Sequence, residues 1–322
     1  MAGDTLSRAT GGNGETRHLR VAFALMVAVF AIAPFVGAYP VFLMKVMCFA
    51  LFACAFNLLI GFGGLLSFGH AMFLGTAGYA SAHAAKMWGF TPELAILFAT
   101  ACAALLGLVT GLLAIRRQGI YFAMITLALA QMVYFFYLQA PFTGGEDGIQ
   151  AVPRGKLFGL IDLGSAWTMY PVVLVVFLGG FLLIWRVIHS PFGQILKAIR
   201  ENEARATSLG YDTDRYKLVA YVLSATLSGL AGGTKALVFQ LASLTDVYWT
   251  MSGEVVLMTL LGGLGTLFGP VVGAAIIITM QNYLAQIGAW VTVVQGAIFV
   301  VCVMAFRRGV VGEIAHWLKK PL

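Results

Sequence analysis

Few side chains in this sequence have the type and spacing that catalysis requires. Lysine follows glycine-containing stretches at Gly155-Lys156 and at Gly232-Gly233-Thr234-Lys235, but neither has the order G-x-x-x-x-G-K-[ST] that binds nucleotide phosphates. We find no serine–histidine–acid group and no paired carboxylates that a cleft would bring together. The sequence therefore predicts that the chain is not an enzyme and does not hydrolyse ATP by the phosphate-loop route.

The cysteines do not indicate a metal or redox site. They lie within apolar segments without a CxxC spacing, and the histidines are not clustered. The four are Cys48, Cys54, Cys102 and Cys302. Because a buried thiol behaves as a small hydrophobic group, we predict no disulfide framework, no metal and no cofactor on this chain.

The longest charged interruption of the sequence, residues 190–217, has the pattern of two short helices. Ser190 followed by Pro191 is a helix-start pair, a hydroxyl cap and then a residue with no N–H to leave unbonded. Leu196 and Ile199 recur at helical spacing among charged residues, which is typical of an amphipathic helix.

A second short helix is predicted over residues 203–209. It ends at Gly210, the residue type favoured in the left-handed conformation that closes many helices. Two short helices lying flat beneath a bundle make a docking surface for a partner. A solvated linker and a helix lying on lipid headgroups are the alternatives.

The composition predicts which elements carry these residues. Of the residues, 60% are hydrophobic and 10% charged, whereas soluble domains carry roughly 25% charged residues. Since one helical crossing needs roughly 20 apolar residues, the apolar runs predict an all-α transmembrane bundle of about ten spans. The spans are 21–39, 41–61, 66–86, 93–115, 119–139, 170–188, 217–239, 253–268, 269–287 and 289–306. The run 253–268 is short for a crossing, so eight or nine spans are alternatives.

The membrane domain, residues 21–306, lies between two tails. Residues 1–20 are polar, glycine-rich and predicted to be disordered, and residues 307–322 form a C-terminal tail. Because Arg17 and Arg20 precede the first apolar run, a cleaved secretion signal is the alternative for that run. A retained span is favoured, since the next apolar segment follows at once.

Positive charge predicts the orientation. With the N-terminus inside, fifteen of the twenty lysines and arginines fall on the cytoplasmic side. Both termini and the loop 190–217 then face the cytoplasm, and the loop 140–168 lies outside. The net charge of +7 reflects this bias, so nucleic-acid binding is not predicted.

Glycine clusters recur in the two halves, in Leu58–Gly69 and Leu260–Gly269. The echo indicates a possible internal duplication, as in many transporters; chance similarity between short apolar strings is the alternative. Glycines at these positions would permit close helix packing or local unwinding.

Five blocks, in order along nearly the whole chain, carry a family resemblance. They are Gly64–His70, Gly119–Leu127, Thr143–Ile149, Ser190–Gly210 with Tyr216-Lys217 after it, and Gly262–Pro270. Together they resemble the branched-chain amino acid permease family of ABC importers. The general permease loop signature, E-A-A with a downstream glycine, is present only as Glu203-Ala204-Arg205 with Gly210, and its proline is absent.

The resemblance implies the membrane subunit of an ATP-driven importer in the bacterial inner membrane. Its partners would be a second permease of related sequence, two ATPase subunits that carry ATP and magnesium, and a periplasmic solute-binding protein. Leucine, isoleucine and valine are the implied solutes; urea, short amides and other amino acids are alternatives within the family. A secondary transporter driven by an ion gradient is the rival class.

The resemblance also makes the loop 190–217 the contact for the ATPase. The residues expected to carry this contact are Ser190, Pro191, Phe192, Ile199, Arg200, Glu201, Asn202, Glu203, Leu209 and Gly210.

Two further sets of residues are candidates for solute handling. Polar groups in apolar spans tend to face the bundle interior. The candidates for the pathway are Asn57, Ser67, His70, Thr126, Gln131 and Thr259, with interhelical hydrogen bonding as the alternative role. The candidates for contact with the binding protein are Thr143, Gly144, Gly145, Glu146 and Asp147, with a shaped turn as the alternative.

Overall fold

A buried helix, α2 (Pro40–Asn57), lies at the centre of the helical bundle. Fifteen of its 18 residues are buried, and it continues into a π-helical turn over Leu58–Phe62. The helix begins at Pro40 because proline has a fixed φ and no N–H, which suits the first helical position. Apolar side chains cover all sides of α2, so the helix is stable only when other helices surround it.

The computed structural model describes residues 21–284, 290–305 and 309–317. The tails predicted at 1–20 and beyond 317 lie outside the described residues, as do parts of the last two predicted spans. The other helices are α1 (Val21–Ile32), α3 (His70–Met87), α4 (Pro92–Ala114), α5 (Ile120–Gln139), α6 (Ala166–Ile188), α7 (Pro191–Glu201), α8 (Glu203–Ser208), α9 (Thr213–Phe239), α10 (Trp249–Gly262), α11 (Gly269–Leu284), α12 (Val291–Ala305) and α13 (Val310–Trp317).

Within the described ranges, five helices are long and apolar enough to cross a membrane: α2 with its π turn, α4, α5, α6 and α9. The chain is therefore a helical membrane protein, as predicted. The count of ten spans stays a prediction. Helices α10 and α11 have 14 and 16 residues, which gives about 21 and 24 Å at 1.5 Å per residue, less than a full hydrocarbon core.

Helix α9 packs closely against α3 and α4. A Cβ atom at Gly232 would lie 2.0 Å from the carbonyl oxygen of Leu74, and one at Gly229 would lie 2.3 Å from the Cβ of Ala103. Small residues let helix backbones approach where the bilayer supplies little hydrophobic drive for association. The three helices consequently form one tightly packed unit.

Several predicted span boundaries are wrong. Helix α1 ends at Ile32 and not at residue 39, and α6, α9 and α10 each begin four residues before the predicted start. Two further boundaries are wrong because they run through a glycine cluster. The span predicted at 66–86 begins at His70, because Gly64 has a φ of +71° and the chain is not helical through residues 66–69. The span predicted at 253–268 ends at Gly262, because Gly263 has a φ of +124°. Glycine adopts positive φ without a Cβ penalty, so each cluster ends a helix.

The two long loops lie at opposite ends of α6, whose 23 residues extend about 35 Å. One loop contains α7 and α8, and α9 already begins at Thr213, so this loop ends four residues before the predicted boundary at 217. In the other loop, β1 (Ile149–Gln150) pairs antiparallel with β4 (Leu241–Ala242). There β2 (Lys156–Leu157) also pairs with β3 (Ile161–Asp162).

Candidate functional site at the α7–α8 segment

Residues 190–212, here named the α7–α8 segment, form the two short helices predicted from the sequence. Ser190 caps α7: its Oγ accepts from the Gly193 N–H at 3.4 Å and donates to the Val187 carbonyl at 2.6 Å. Pro191 occupies the first helical position. Asn202 caps α8 by accepting from the Arg205 N–H at 3.0 Å. The two caps set the bends that turn this segment beneath the bundle.

Helix α7 has one face against the bundle and one exposed face. Gly193, Leu196 and Ile199 are buried, and the Leu196 side chain lies beside Gly63. The ammonium of Lys197 lies 5.5 Å from the centre of the Phe62 ring, a cation–π contact. The amphipathic pattern therefore attaches α7 to the turn that follows α2.

Arg200 connects α7 to that same turn. Its guanidinium Nη1 donates to the carbonyl of Gly61, inside the π turn. A π turn leaves carbonyls outside the regular i→i−4 pattern, so this charged donor satisfies an acceptor at the break. A Cβ added at Gly265, in the turn between α10 and α11, would lie 3.3 Å from the same nitrogen. The Arg200 side chain thus lies beside both glycine-containing turns, the π turn after α2 and the turn between α10 and α11.

Asn57 joins the two breaks directly. Its Nδ2 donates to the Thr266 carbonyl at 2.8 Å, and its Oδ1 accepts from the Gly265 N–H at 3.1 Å. The five residues that meet here, named the polar junction, are Asn57, Gly61, Arg200, Gly265 and Thr266. The two glycine clusters that resemble each other in sequence are therefore in contact in space.

Glu203, the first residue of α8, forms a second attachment. Its Oε1 pairs with the Lys217 ammonium and accepts from Gln118 Nε2 at 2.9 Å and from Thr213 Oγ1 at 3.3 Å. The Lys217 side chain is 3% exposed and that of Glu203 is 29% exposed. Sequence reasoning assigned Glu203 to an outside contact; the structure shows it binding the start of α9 and the loop before α5.

The opposite surface of the α7–α8 segment is free for a partner in the described part of the chain. Leu209 is 72% exposed although it is a large apolar residue. Gly210 has a φ of +88°, and a Cβ added there would meet nothing within 4 Å. Glu201 and Asn202 are also exposed. An exposed leucine at a glycine-shaped tip has the character of an interface contact.

The remaining predicted contacts of this segment are divided between the two surfaces. Phe192 is half-buried and its ring stacks on Tyr216 at 5.7 Å between centroids. Ile199 is 3% exposed and belongs to the bundle side. Pro191 is exposed at the start of α7.

Five of the six candidate pathway residues are buried and hydrogen-bonded inside the bundle. His70 Nε2 lies 2.8 Å from Ser224 Oγ, and Thr126 Oγ1 accepts from the Phe68 N–H at 3.2 Å. Ser67 accepts from the Gly69 N–H, Thr259 donates within α10, and Asn57 belongs to the polar junction. Gln131 is half-buried on α5. Asn57, His70 and Thr126 make hydrogen bonds between segments, as the alternative of interhelical bonding describes, whereas Ser67 and Thr259 bond within their own segments. Their place on a solute pathway stays a prediction.

The outer-loop candidates separate into turn-forming and exposed residues. Thr143 is fully buried and donates to the carbonyls of Tyr137 and Ala140, both at 2.6 Å. Gly144 and Gly145 have positive φ angles. Glu146 and Asp147 are exposed. The first three residues shape the turn, and of these five candidates only the two carboxylates present side chains that a partner can reach.

The sequence did not predict that the π turn after α2 contacts the turn between α10 and α11. The two glycine clusters were the available signal, but a similarity in sequence does not state that two segments touch. Lys217 was counted only as a cytoplasmic charge, and nothing in its neighbours indicates a partner fourteen residues earlier.

A polytopic helical bundle that presents an attached segment on one side has the architecture of a membrane permease. The chain belongs to the family described as branched-chain amino acid transport system, permease component, whose model matches residues 40–303.

Curated relatives support this assignment. The chain is similar to the high-affinity branched-chain amino acid transport system permease protein LivM of Escherichia coli (strain K12), with 25% identity over 85% of this chain and 70% of the relative. It is also similar to the ribose import permease protein RbsC of Bacillus subtilis (strain 168), with 27% identity over 77% of this chain and 82% of the relative. No solved structure matches the chain.

Proposed function

We propose that this chain is the translocating subunit of an ATP-driven ABC importer for leucine, isoleucine and valine, with ATP hydrolysed on separate subunits. Family membership and the similarity to LivM support the proposal. The observation that carries it is the two-sided α7–α8 segment. One side is attached to the bundle through Arg200 and Glu203, and the other exposes Leu209.

The geometry suggests how such a segment drives the bundle. Closure of the ATPases on bound ATP displaces the α7–α8 segment, and Arg200 transmits the displacement to Gly61 at the end of α2. Because Asn57 bonds the same turn to Gly265 and Thr266, the turn between α10 and α11 moves with it. The bundle then opens the pathway to one side of the membrane at a time.

The proposed assembly contains a second permease of related sequence, two ATPase subunits and a periplasmic binding protein, in a bacterial inner membrane. The α7–α8 segment faces the cytoplasm together with both termini. Two contacts support placing the ends of the described chain at the same end of the bundle as this segment. The ring of Phe23 lies 5.5 Å from that of Trp185, which places the start of α1 near the α7–α8 end of α6. A Cβ at Gly309 would lie against Gly263 at the same end.

Reconstitution tests the function. The permease, its ATPases and its binding protein are placed in proteoliposomes, and uptake of radiolabelled leucine is measured with ATP inside or outside the vesicles. We expect uptake that requires ATP on the ATPase side and stops when the ATPase subunits are omitted. Uptake that persists without them and follows a proton or sodium gradient would show a secondary transporter instead.

A different solute is the second candidate, and the similarity to a ribose import permease favours keeping it. Urea, short amides and other amino acids are further alternatives for the solute. The same vesicles distinguish these solutes when each is offered with the binding protein encoded beside the permease. ATP-driven uptake of ribose or an amide without leucine uptake would keep the importer and replace its solute.

A further inference from the structure

Four charged side chains meet at the end of the bundle opposite the α7–α8 segment. Lys235 of α9 forms a salt bridge with Asp246, and both side chains are 14% exposed. Lys45 of α2 and Glu254 of α10 are half-buried. Helix α2 packs against both α9 and α10, and the Lys235 ammonium lies over the ring of Phe49, which is about one helical turn from Lys45. We name Lys45, Lys235, Asp246 and Glu254 the charged cluster.

Three of the four residues lie at a similar depth. Lys45 and Glu254 are each five residues from the first residue of their helices, and Lys235 is four residues from the end of α9. At 1.5 Å per residue these positions are about 6 to 8 Å inside the helix ends. Charges at such depth are costly in a membrane protein unless they are paired or face water, and they commonly mark a solute route.

The four side chains of the charged cluster differ in the partners they have. Lys235 has Asp246 and also lies 5.2 Å from the centre of the Phe49 ring. Glu254 accepts from Gln281 Nε2 at 3.1 Å. Within the described ranges, neither Lys45 nor Glu254 forms a salt bridge. The Lys45 ammonium and the Glu254 carboxylate thus lie near the Lys235–Asp246 salt bridge but do not form a salt bridge with each other.

The charged cluster shares its helices with the polar junction. Helix α2 carries Lys45 at one end and Asn57 at the other, and α10 carries Glu254 and ends at the turn that contains Gly265. Helix α11 carries Gln281. A displacement of the junction by the α7–α8 segment therefore reaches the two helices that carry Lys45 and Glu254.

We propose that the charged cluster is an outer binding site for a zwitterionic α-amino acid, with the Lys45 ammonium binding the solute carboxylate and the Glu254 carboxylate binding its ammonium. The inference rests on the proposed function and specifies the chemistry of its solute. Two positive and two negative side chains sum to no net charge, so a solute with both charges enters without adding an unpaired charge to the bundle. The Lys235–Asp246 pair keeps the site oriented by closing one side.

The test compares leucine uptake by the complete reconstituted importer and by its variants Lys45→Met and Glu254→Gln. We expect each substitution to lower uptake by at least about tenfold, since each leaves one charge of the solute unpaired. Lys45→Arg, which retains the charge, is expected to keep most of the uptake. Lys86→Met is the matched control: Lys86 lies at the same end but is exposed and donates to the Gln150 carbonyl.

A second measurement needs no variant. The thermal stability of the purified permease–ATPase complex is recorded with leucine, with isoamylamine or with 4-methylpentanoate, so that the probe carries both charges or only one. We expect leucine alone of the three to raise the Tm.

The outcomes separate the two proposals. Wild-type leucine uptake that Lys45→Met and Glu254→Gln leave unchanged overturns the binding site and keeps the importer. An equal Tm shift from leucine and from either single-charge analogue also overturns the binding site. A wild-type complex that takes up no leucine but imports an uncharged solute overturns both the amino-acid function and the site.

Discussion

The guanidinium of Arg200, on the amphipathic helix α7, donates to the main-chain carbonyl of Gly61 inside the π turn that follows α2. This contact joins a surface helix to the most deeply buried helix of the bundle. Gly265 lies beside the same guanidinium, so the contact also reaches the turn between α10 and α11. A charged donor on a main-chain acceptor is stronger than a neutral hydrogen bond, which suits it to transmit a displacement.

Glu203 is predicted to stabilise the fold. In Glu203→Gln the Lys217 ammonium, with 3% of its side chain exposed, loses its carboxylate. We expect a loss of about 2 to 3 kcal/mol, below the value for a fully buried pair because the Glu203 side chain is 29% exposed. The measurement is the midpoint of thermal unfolding of the purified permease in detergent.

The exposed Glu201→Gln is the matched control for Glu203 and is expected to unfold like the wild type. Adding Lys217→Met to Glu203→Gln should recover part of the stability, since no unpaired charge then remains. A Glu203→Gln variant as stable as Glu201→Gln would contradict the structural role and return Glu203 to a contact with the ATPase.

Gly61 is predicted to tolerate no side chain. A Cβ in Gly61→Ala would lie 2.8 Å from the Gly265 main-chain nitrogen, a backbone atom that cannot rotate away. Overpacking of this kind costs about 1 to 3 kcal/mol. We expect lower thermal stability and weaker ATP-driven uptake in proteoliposomes.

Gly179 offers the comparison for Gly61, because it lies within α6 and a Cβ there meets nothing within 4 Å. Alanine has the higher helix propensity, so Gly179→Ala should be neutral or slightly stabilising. If Gly61→Ala behaves like Gly179→Ala in both assays, the two breaks are not in close contact.

Leu209 is predicted to contact the ATPase subunit. The side chain is 72% exposed, so Leu209→Asp should leave the fold intact while placing a charge in an apolar contact. We expect the ATPase to co-purify poorly with this variant. Leu160→Asp, at the opposite loop and 87% exposed, is the control; equal co-purification of the two variants would place the ATPase elsewhere.

The sequence predicted the helical elements well because each depends on local residues. Ser190 and Pro191 mark the start of α7 by chemistry that acts within three residues. Two of the wrong span boundaries, at residues 66 and 268, share one cause. Apolar composition continues past Gly64 and Gly263, whereas positive φ at these glycines ends the helix.

The sequence predicted which segment forms the candidate site, but it did not predict which residues that segment contacts. The pattern of Leu196 and Ile199 identifies the face of α7 that packs on the bundle. The partners of Arg200 and Glu203 come from segments 139 and 14 residues away, and no local pattern encodes such pairings. The same holds for Lys45 and Glu254, which the sequence shows only as charges near span ends.

We propose that Arg200 couples the α7–α8 segment to the bundle. The most direct measurement records ATP hydrolysis and leucine uptake together in the same proteoliposomes for the wild type, Arg200→Met and the control Arg215→Met, whose side chain is 85% exposed. We predict that Arg200→Met keeps its ATP hydrolysis but loses at least about tenfold in leucine imported per ATP, the equivalent of one charged hydrogen bond. Arg215→Met should match the wild type. Unchanged leucine uptake per ATP in Arg200→Met would show that Arg200 does not couple the α7–α8 segment to the bundle.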